Sequence, residues 1–384
     1  MDMVYISPKG LWLLNLATQK SELIVPQRLY GIVVGTRTRI AFFTNANDSQ
    51  QYVVNLDTKK VTLIKGLPGR AHITSVNADE TLVAGSVVEA NAPDLIVYQA
   101  RAIENAAEQL KAAREYPSLH PNDKDNVSVS IRMENEIRAK ARAEASKARF
   151  AAHHGEQIFT QNLKTGKVQF IHQGSDWLSH IQFSPTDTEL LMYAHEGPAL
   201  ELDRVWSIRA DGSHNHLVHY RHEPNEIATH EFWSHDGKTI YYELQTKKGE
   251  DFSLAAVDVG SGNATAMHVT KAEASIHYNV SADGKLFCGD GNVISHGEVG
   301  VHGHRTLDRR WIELLRPAAD GTLHSTRLAH LANNDYTKEE PNARFSPDGK
   351  SILFTSNMFG YNYVFMVDIA QSVENKSALS SAGR

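Results

Sequence analysis

The chain reads as all-β: a seven-bladed β-propeller with a helical insertion in the third blade and an incomplete first blade. Two recurring turns and one interruption predict this. The first turn is clearest in Asn342-Ala-Arg-Phe-Ser-Pro-Asp-Gly-Lys-Ser-Ile-Leu-Phe-Thr-Ser356, where Ser346-Pro-Asp-Gly-Lys350 separates two apolar runs. Asp and Gly there supply the backbone geometry of a two-strand reversal. Weaker copies are Val280-Ser-Ala-Asp-Gly-Lys285, Phe232-Trp-Ser-His-Asp-Gly-Lys238, Phe183-Ser-Pro-Thr-Asp187 and Val76-Asn-Ala-Asp79. Aligned at 77, 184, 234, 281 and 346, they recur at intervals of 107, 50, 47 and 65 residues. A period of roughly 40–50 residues is that of a four-stranded propeller blade. The long first interval must hold an insertion.

The second turn follows a strand that ends in an acid or amide. It occurs in Tyr52-Val-Val-Asn-Leu-Asp-Thr-Lys-Lys60, Phe159-Thr-Gln-Asn-Leu-Lys-Thr-Gly-Lys167, Val205-Trp-Ser-Ile-Arg-Ala-Asp-Gly212 and Leu254-Ala-Ala-Val-Asp-Val-Gly-Ser-Gly262. Leu11-Trp-Leu-Leu-Asn-Leu-Ala-Thr18 and Val364-Phe-Met-Val-Asp-Ile-Ala370 belong to the same set. This is the turn between the third and fourth strands of a blade. Together the two turns place seven blades at 4–25, 31–65, 72–172, 180–219, 230–269, 277–330 and 342–373. The first has no inner strand with an Asp-Gly turn, so the chain starts inside a blade. Residues 1–373 form one propeller domain, since a closed repeat array is one domain however long it runs. Residues 374–384 are a polar tail.

The interruption, about residues 100–153, follows the second strand of blade three, Leu82-Val-Ala-Gly-Ser-Val-Val88. Ala102 to Glu115 and Ile131 to Ala152 are built of helix formers, with the turn-rich 116–125 between them. Alternating charges at helical spacing fit a solvated helical hairpin. A lid is the sharper reading, because a loop after the second strand rises on the face where inner strands begin. Its basic side chains would suit an anionic ligand.

Composition narrows the partner. A net charge of -6 argues against nucleic acid, which needs a basic footprint. Cys288 is the lone cysteine, which excludes a disulfide framework and multi-cysteine zinc sites. Met1-Asp-Met-Val-Tyr5 opens no signal peptide, and no apolar run approaches a membrane span, so a cytoplasmic protein without a membrane partner is expected. A nucleophile elbow, a phosphate-binding loop and a His-Glu-x-x-His helix are all missing.

Counting back four residues from the turn serine gives His180, His230, His277 and Asn342 in four consecutive blades, and Ile73 beside His72 in blade three. These residues start the innermost strands, which in a ring converge at one face. Three imidazoles and an amide at one register point to a metal-binding or catalytic site, against the plainer reading of residues copied with the repeat. Loops on the same face add His195 and Arg204 from blade four, 245–251 from blade five, Gly289-Asp-Gly-Asn292 and the His-rich 296–304 from blade six, and Asn357 from blade seven. Such a rim suits a small polar acid or sugar. Trp177 and Trp233 are placed either to stack on sugar rings or to pack between blades.

At this point a family resemblance emerges. Trp177-Leu-Ser-His180, His195-Glu-Gly-Pro198, Asp203-Arg-Val-Trp-Ser-Ile208, Thr229-His-Glu-Phe-Trp233, Ser275-Ile-His-Tyr-Asn279 and Gly289-Asp-Gly291 resemble oligogalacturonate lyases from about residue 50 onward. The resemblance implies a cytoplasmic, seven-bladed propeller that cleaves short oligogalacturonides by β-elimination with a divalent cation, typically manganese. It makes His230 the general base, Arg204 the partner of the substrate carboxylate and His277 a metal ligand. His180, His195, Trp233 and Asn357 are then candidate substrate contacts. The chemistry asks for these types: a weakly acidic C5 proton needs its neighbouring carboxylate neutralised, and an imidazole near neutrality can take the proton.

Blade seven departs from the family pattern. Better-known members carry a Gln and two further metal-binding histidines there. This chain has Tyr336-Thr-Lys-Glu-Glu-Pro-Asn342, which puts Glu340 and Asn342 where those histidines fall. Carboxylate and amide oxygens remain acceptable to manganese, magnesium or calcium, giving a harder site of His277, Glu340 and Asn342. Loss of the metal, or a different uronate, stays open. The competing class is a non-catalytic propeller that binds a uronate oligosaccharide or a protein. Saturable binding without product would distinguish it.

Overall fold

Each repeat closes its own turn with side-chain hydrogen bonds, which is why the repeat is visible in the sequence. In blade seven Ser346 Oγ donates to Asp348 Oδ1 at 2.6 Å, while the Ser351 and Lys350 N–H groups donate to Ser346 Oγ and Asp348 Oδ1. The same bonds recur around Ser234 and Asp236, and around Ser281 and Asp283. Gly349, Gly237 and Gly284 take φ of 67°, 67° and 72°, the left-handed backbone that this reversal requires. The second turn is capped by its acid or amide: Asn55, Asn162 and Asp258 each accept the N–H three residues on. Asn15 does the same for Thr18 in the first blade.

The computed structural model describes residues 2–198, 201–247, 251–291, 310–336 and 339–369. Blade one holds β1 (Asp2–Ser7), β2 (Gly10–Asn15) and β3 (Lys20–Val25); blade two holds β4 (Leu29–Val34), β5 (Ile40–Asn45), β6 (Gln51–Asn55) and β7 (Val61–Leu63). Blade three is β8 (Ala71–Val76), β9 (Leu82–Val88), β10 (Glu156–Asn162) and β11 (Val168–Gly174). Blade four is β12 (Trp177–Phe183), β13 (Leu190–Glu196), β14 (Val205–Arg209) and β15 (His216–Leu217). Blade five is β16 (Ile227–Trp233), β17 (Thr239–Thr246), β18 (Asp251–Asp258) and β19 (Ala264–Val269). Blade six is β20 (Tyr278–Val280), β21 (Phe287–Gly289), β22 (Trp311–Pro317) and β23 (Leu323–His330), and blade seven is β24 (Arg344–Phe345), β25 (Ser351–Ser356) and β26 (Tyr363–Asp368). Every sheet is an antiparallel meander in chain order, the topology of a seven-bladed β-propeller. Among the described residues blade one has three strands, β1 to β3, and its Asn15 turn lies between the last two.

The insertion folds as α1 (Leu95–Asn105), α2 (Ala107–Leu119) and α3 (Asn126–Ala151), leaving from β9 and returning to β10. It begins earlier than the sequence indicates, because Val97 and Tyr98 carry no helical signal in their composition. Helix α2 also runs through Pro117, which the sequence assigns to a turn. Proline has no N–H for the carbonyl of Ala113, and the buried Ser130 hydroxyl of α3 donates to that oxygen instead, at 2.7 Å. The bond satisfies the helix and ties α3 to α2.

The chain groups into two compact units. One comprises Met1–Pro93, Arg149–Gly197 and Arg204–Val218; the other comprises Asp94–Ala148, Pro198–Asp203 and His219–Arg384. The core of each lies between successive blades. In the first unit Ala84, Ile158 and Ile171 of blade three meet Leu178, Ile181, Phe183, Leu191 and Tyr193 of blade four. In the second, Phe252, Leu254 and Val269 of blade five meet Tyr278, Val280, Phe287 and Leu315 of blade six. Full burial of each such side chain contributes about 1.5–3 kcal/mol, so the sheet-to-sheet seams hold the inner strands rigidly.

Candidate active site

A repeated bulge gives the inner-strand register its character. The pairing slips between Tyr30 and Val33 in blade two, Ser179 and Gln182 in blade four, and Thr229 and Phe232 in blade five. At each slip one residue is left-handed: Gly31 (φ 64°), His180 (φ 50°) and His230 (φ 56°); Asn342 (φ 49°), just before β24, is the same. A side chain in that conformation costs about 1–2 kcal/mol relative to the right-handed regions. Glycine serves in blade two, so the imidazoles occupy positions where the backbone alone would favour glycine. Bulges re-aim side chains, and strain of this kind gathers at functional sites.

In the second unit, His230 and His277 lie with ring centroids 4.6 Å apart and planes at 69°. Each is held by a buried carboxylate. His230 Nδ1 is 2.9 Å from Glu243 Oε2, and His277 Nδ1 is 2.7 Å from Asp290 Oδ2. Glu243 is 2% exposed and Asp290 1%. Asp290 Oδ1 also accepts the His277 N–H, and its Oδ2 accepts the Asn342 N–H, so it links blades six and seven. A carboxylate at Nδ1 favours the tautomer protonated there, in which Nε2 is the ring atom left for a base or a metal ligand.

His277 Nε2 is 3.7 Å from Glu340 Oε2, and Asn342, on the same segment as Glu340, turns its Nδ2 to the Glu340 carbonyl. Burial alone would lower the His277 pKa. The Asp290 carboxylate, through charge and hydrogen bond, outweighs burial with help from Glu340 and Glu243 and raises it. Among the described residues no group of three or more His, Cys, Asp or Glu side chains is set to hold a metal ion. His277, Glu340 and Asn342 nevertheless offer a nitrogen and oxygens of the types that a hard divalent ion accepts.

The first unit carries a different arrangement. Arg204 Nη2 is 2.9 Å from Glu196 Oε1, and the same oxygen is 3.1 Å from His180 Nε2 and accepts the Ser179 hydroxyl. Burial would push the Glu196 carboxyl up, but the hydrogen bond to His180 and the charge of Arg204 outweigh it and hold the group far below its ordinary 4.5. Here Nε2 of the histidine is the nitrogen committed to the carboxylate.

The remaining expected contacts take structural positions. His195 Nδ1 is 2.5 Å from Asp176 Oδ2, and its Nε2 is buried, within a cluster of His172, Tyr193 and Trp206. Trp233 is 8% exposed, so its ring is enclosed and packing, rather than sugar stacking, is the role open to it. Asn357 clasps the loop before blade seven: its Oδ1 accepts the Asp335 N–H and its Nδ2 donates to the Asp335 carbonyl. Trp177 is covered by the Arg149 guanidinium, 4.2 Å from the ring centroid. The His-rich 296–304 stretch, Asn292, part of the 245–251 loop and the 374–384 tail lie outside the described residues. Sequence reasoning missed Glu243 and assigned no role to Asp290 or Glu196, although both lie in motifs it singled out. One signal was available, since Glu243 and Asp290 each follow their histidine by thirteen residues.

Comparison with known proteins agrees with this picture. The family model described as oligogalacturonate lyase matches residues 143–373. The chain is 29% identical over 218 residues to an oligogalacturonate lyase of Dickeya dadantii, covering 55% of each, and 27% identical over 224 residues to an oligogalacturonide lyase of Pectobacterium atrosepticum, covering 57% of each. It thus spans about half the length of the curated relatives it matches. A solved oligogalacturonate lyase in complex with manganese superposes with a TM-score of 0.70 at 22% identity, covering 95% of this chain and 84% of that one. The Vibrio parahaemolyticus enzyme gives 0.69 at 20% identity, covering 94% and 84%. Because that family model matches more than half of its length, the chain belongs to the oligogalacturonate lyase family.

Proposed function

We propose that the protein is a polysaccharide lyase that cleaves short oligogalacturonides by β-elimination. The observation that carries this reading is the His230–Glu243 pair, a strained inner-strand imidazole whose Nδ1 is occupied by a buried carboxylate at 2.9 Å. In the reaction His230 Nε2 removes the C5 proton of a galacturonate unit. The electrons form the C4–C5 double bond, and the glycosidic oxygen at C4 departs with the electron pair of its bond and takes a proton from water, while His230 gives the abstracted proton back to solvent. The products are a shortened chain and an unsaturated uronate.

The C5 proton becomes acidic enough only when the adjacent carboxylate is neutralised. Arg204 is suited to that carboxylate, since a guanidinium has five donors and can hold Glu196 and a second acid together. His180, bound to the same Glu196 oxygen, fixes the position from which Arg204 acts. His277, Glu340 and Asn342 would hold a divalent cation, and when bound it would supply Lewis-acid neutralisation of the uronate. A cytoplasmic location accords with a substrate already cut to short oligomers.

The test is to incubate the protein with di- and trigalacturonate, with and without chelator, and to follow the ultraviolet absorbance of unsaturated uronate. Product formation abolished in His230→Ala and reduced in Arg204→Ala is the expected result. Saturable binding without product would instead establish a binding propeller and sink the lyase reading.

A further inference from the structure

We infer that Glu243 is a positioning residue which decides the nitrogen of His230 that carries the proton, leaving Nε2 as the basic atom. The inference deepens the assignment of His230 as base and rests on it. It is drawn from the surroundings of the carboxylate. Glu243 Oε2 is 2.9 Å from His230 Nδ1 and accepts the Thr229 hydroxyl at 2.8 Å, and its Oε1 accepts the Gln245 amide at 2.5 Å. Thr229 and Gln245 supply a donor to each oxygen of a side chain that is 2% exposed. An ionised carboxylate, which accepts and does not donate, fits those surroundings and leaves His230 Nδ1 to donate. The proton between Glu243 and His230 therefore belongs to Nδ1, and Nε2 carries the lone pair.

The pairing is built from two successive strands. Thr229 stands directly across from Glu243 in the β16–β17 ladder, and the bulge begins at the next residue. Without the bulge, His230 would point to the opposite sheet face from Thr229. The left-handed turn at His230 brings its ring to the carboxylate that Thr229 already holds. Thr229 Oγ1 lies 3.0 Å from His230 Nδ1 as well, so hydroxyl and carboxylate fix the ring from two directions. His180 shows that a carboxylate partner does not by itself expose Nε2, because there the carboxylate takes Nε2 and the Arg204 guanidinium approaches Nδ1 at 3.5 Å. The bulge and the origin of the acid on the second strand decide the outcome.

Two measurements on the full chain test this. The first is ¹⁵N NMR of histidine-labelled wild-type protein, with His230→Gln identifying the His230 signals. The expected tautomer has the proton on Nδ1, and finding it on Nε2 would overturn the proposal without recourse to any Glu243 variant. The second is steady-state cleavage of trigalacturonate by Glu243→Gln, which preserves shape while allowing the amide to donate to Nδ1. We expect kcat to fall about 100-fold with KM within about threefold of wild type, at unchanged circular dichroism, as loss of an oriented general base requires. A Glu243→Gln enzyme that folds and turns over at the wild-type rate would overturn the positioning role while His230→Gln stays inactive. Turnover retained by His230→Gln would instead overturn the base assignment beneath it, so the two failures are separable.

Discussion

Blade four and blade five solve the same local problem with opposite results. Both place a histidine in left-handed backbone at a bulge of the inner strand, and both answer it with a glutamate from the second strand, half-buried in blade four and buried in blade five. In blade four the glutamate takes Nε2 and shares itself with Arg204, so imidazole, acid and guanidinium form a closed ion cluster. In blade five the glutamate takes Nδ1 and also accepts from Thr229 and Gln245. The difference teaches that the nature of a histidine site is set less by the histidine than by the partners of its carboxylate. A carboxylate balanced by arginine makes a fixed cation holder. One that sits at Nδ1 leaves Nε2 as the ring atom it does not engage.

This contrast can be broken most directly at the histidines themselves. His230→Ala should lower kcat by about 10²–10⁴-fold, the usual contribution of a general base, whereas His180→Ala should act mainly on KM. Equal losses of kcat in both variants, measured by unsaturated-product formation, would erase the distinction. Asp290 provides the next largest effect. Asp290→Asn should weaken divalent-cation binding by about 10–100-fold in calorimetry, because the acid fixes the tautomer of His277. Unaltered affinity would remove His277 from the ligand set.

Glu196→Gln sharpens the blade-four side. It removes the charge that fixes Arg204, and KM for trigalacturonate should rise about tenfold with a smaller change in kcat. A variant that lost kcat alone would place Glu196 in the chemistry of the transition state. The smallest effect concerns stability and a carboxyl that neither arrangement uses. Glu313 is 2% exposed, its Oε2 has no partner among the described residues, and Arg327 reaches only to 3.9 Å of Oε1. Burial pushes its carboxyl from 4.5 up to about 8, with Arg327 opposing and Glu273 adding to the shift. The unfolded chain then loses this proton first as pH rises. Stability should therefore fall between about pH 4.5 and pH 8 by at most about 1.4 kcal/mol per unit, then level off. Thermal melts of Glu313→Gln should show a flatter profile and a higher midpoint at pH 9. Parallel profiles for variant and wild type would show that Glu313 is solvated and titrates normally.

Much of this molecule was legible in the sequence because its repeat is chemically local. Ser346 and Asp348, or Asn162 and Thr165, make their bonds within a few residues, so the turns, the blade boundaries and the register of His180, His230, His277 and Asn342 could be counted. The acids that define the sites were not legible in the same way. Glu243, Asp290 and Glu196 reach their histidines across a sheet, after a slip in pairing in blades four and five that no residue type announces. Trp233, which the sequence left between stacking on a sugar and packing between blades, is buried. Pro117 was read as a break because the hydroxyl that compensates it belongs to another helix.

The sequence alone determined the propeller, its seven units, the place of the insertion and the histidine register, since these follow from hydrogen bonds closed inside a single turn and from a period set by strand length. Only the tertiary structure decided which ring nitrogen each carboxylate occupies. That choice depends on how two strands pair and where a bulge rotates the chain, and electrostatic energy between buried groups is fixed by distance in space rather than by separation along the backbone.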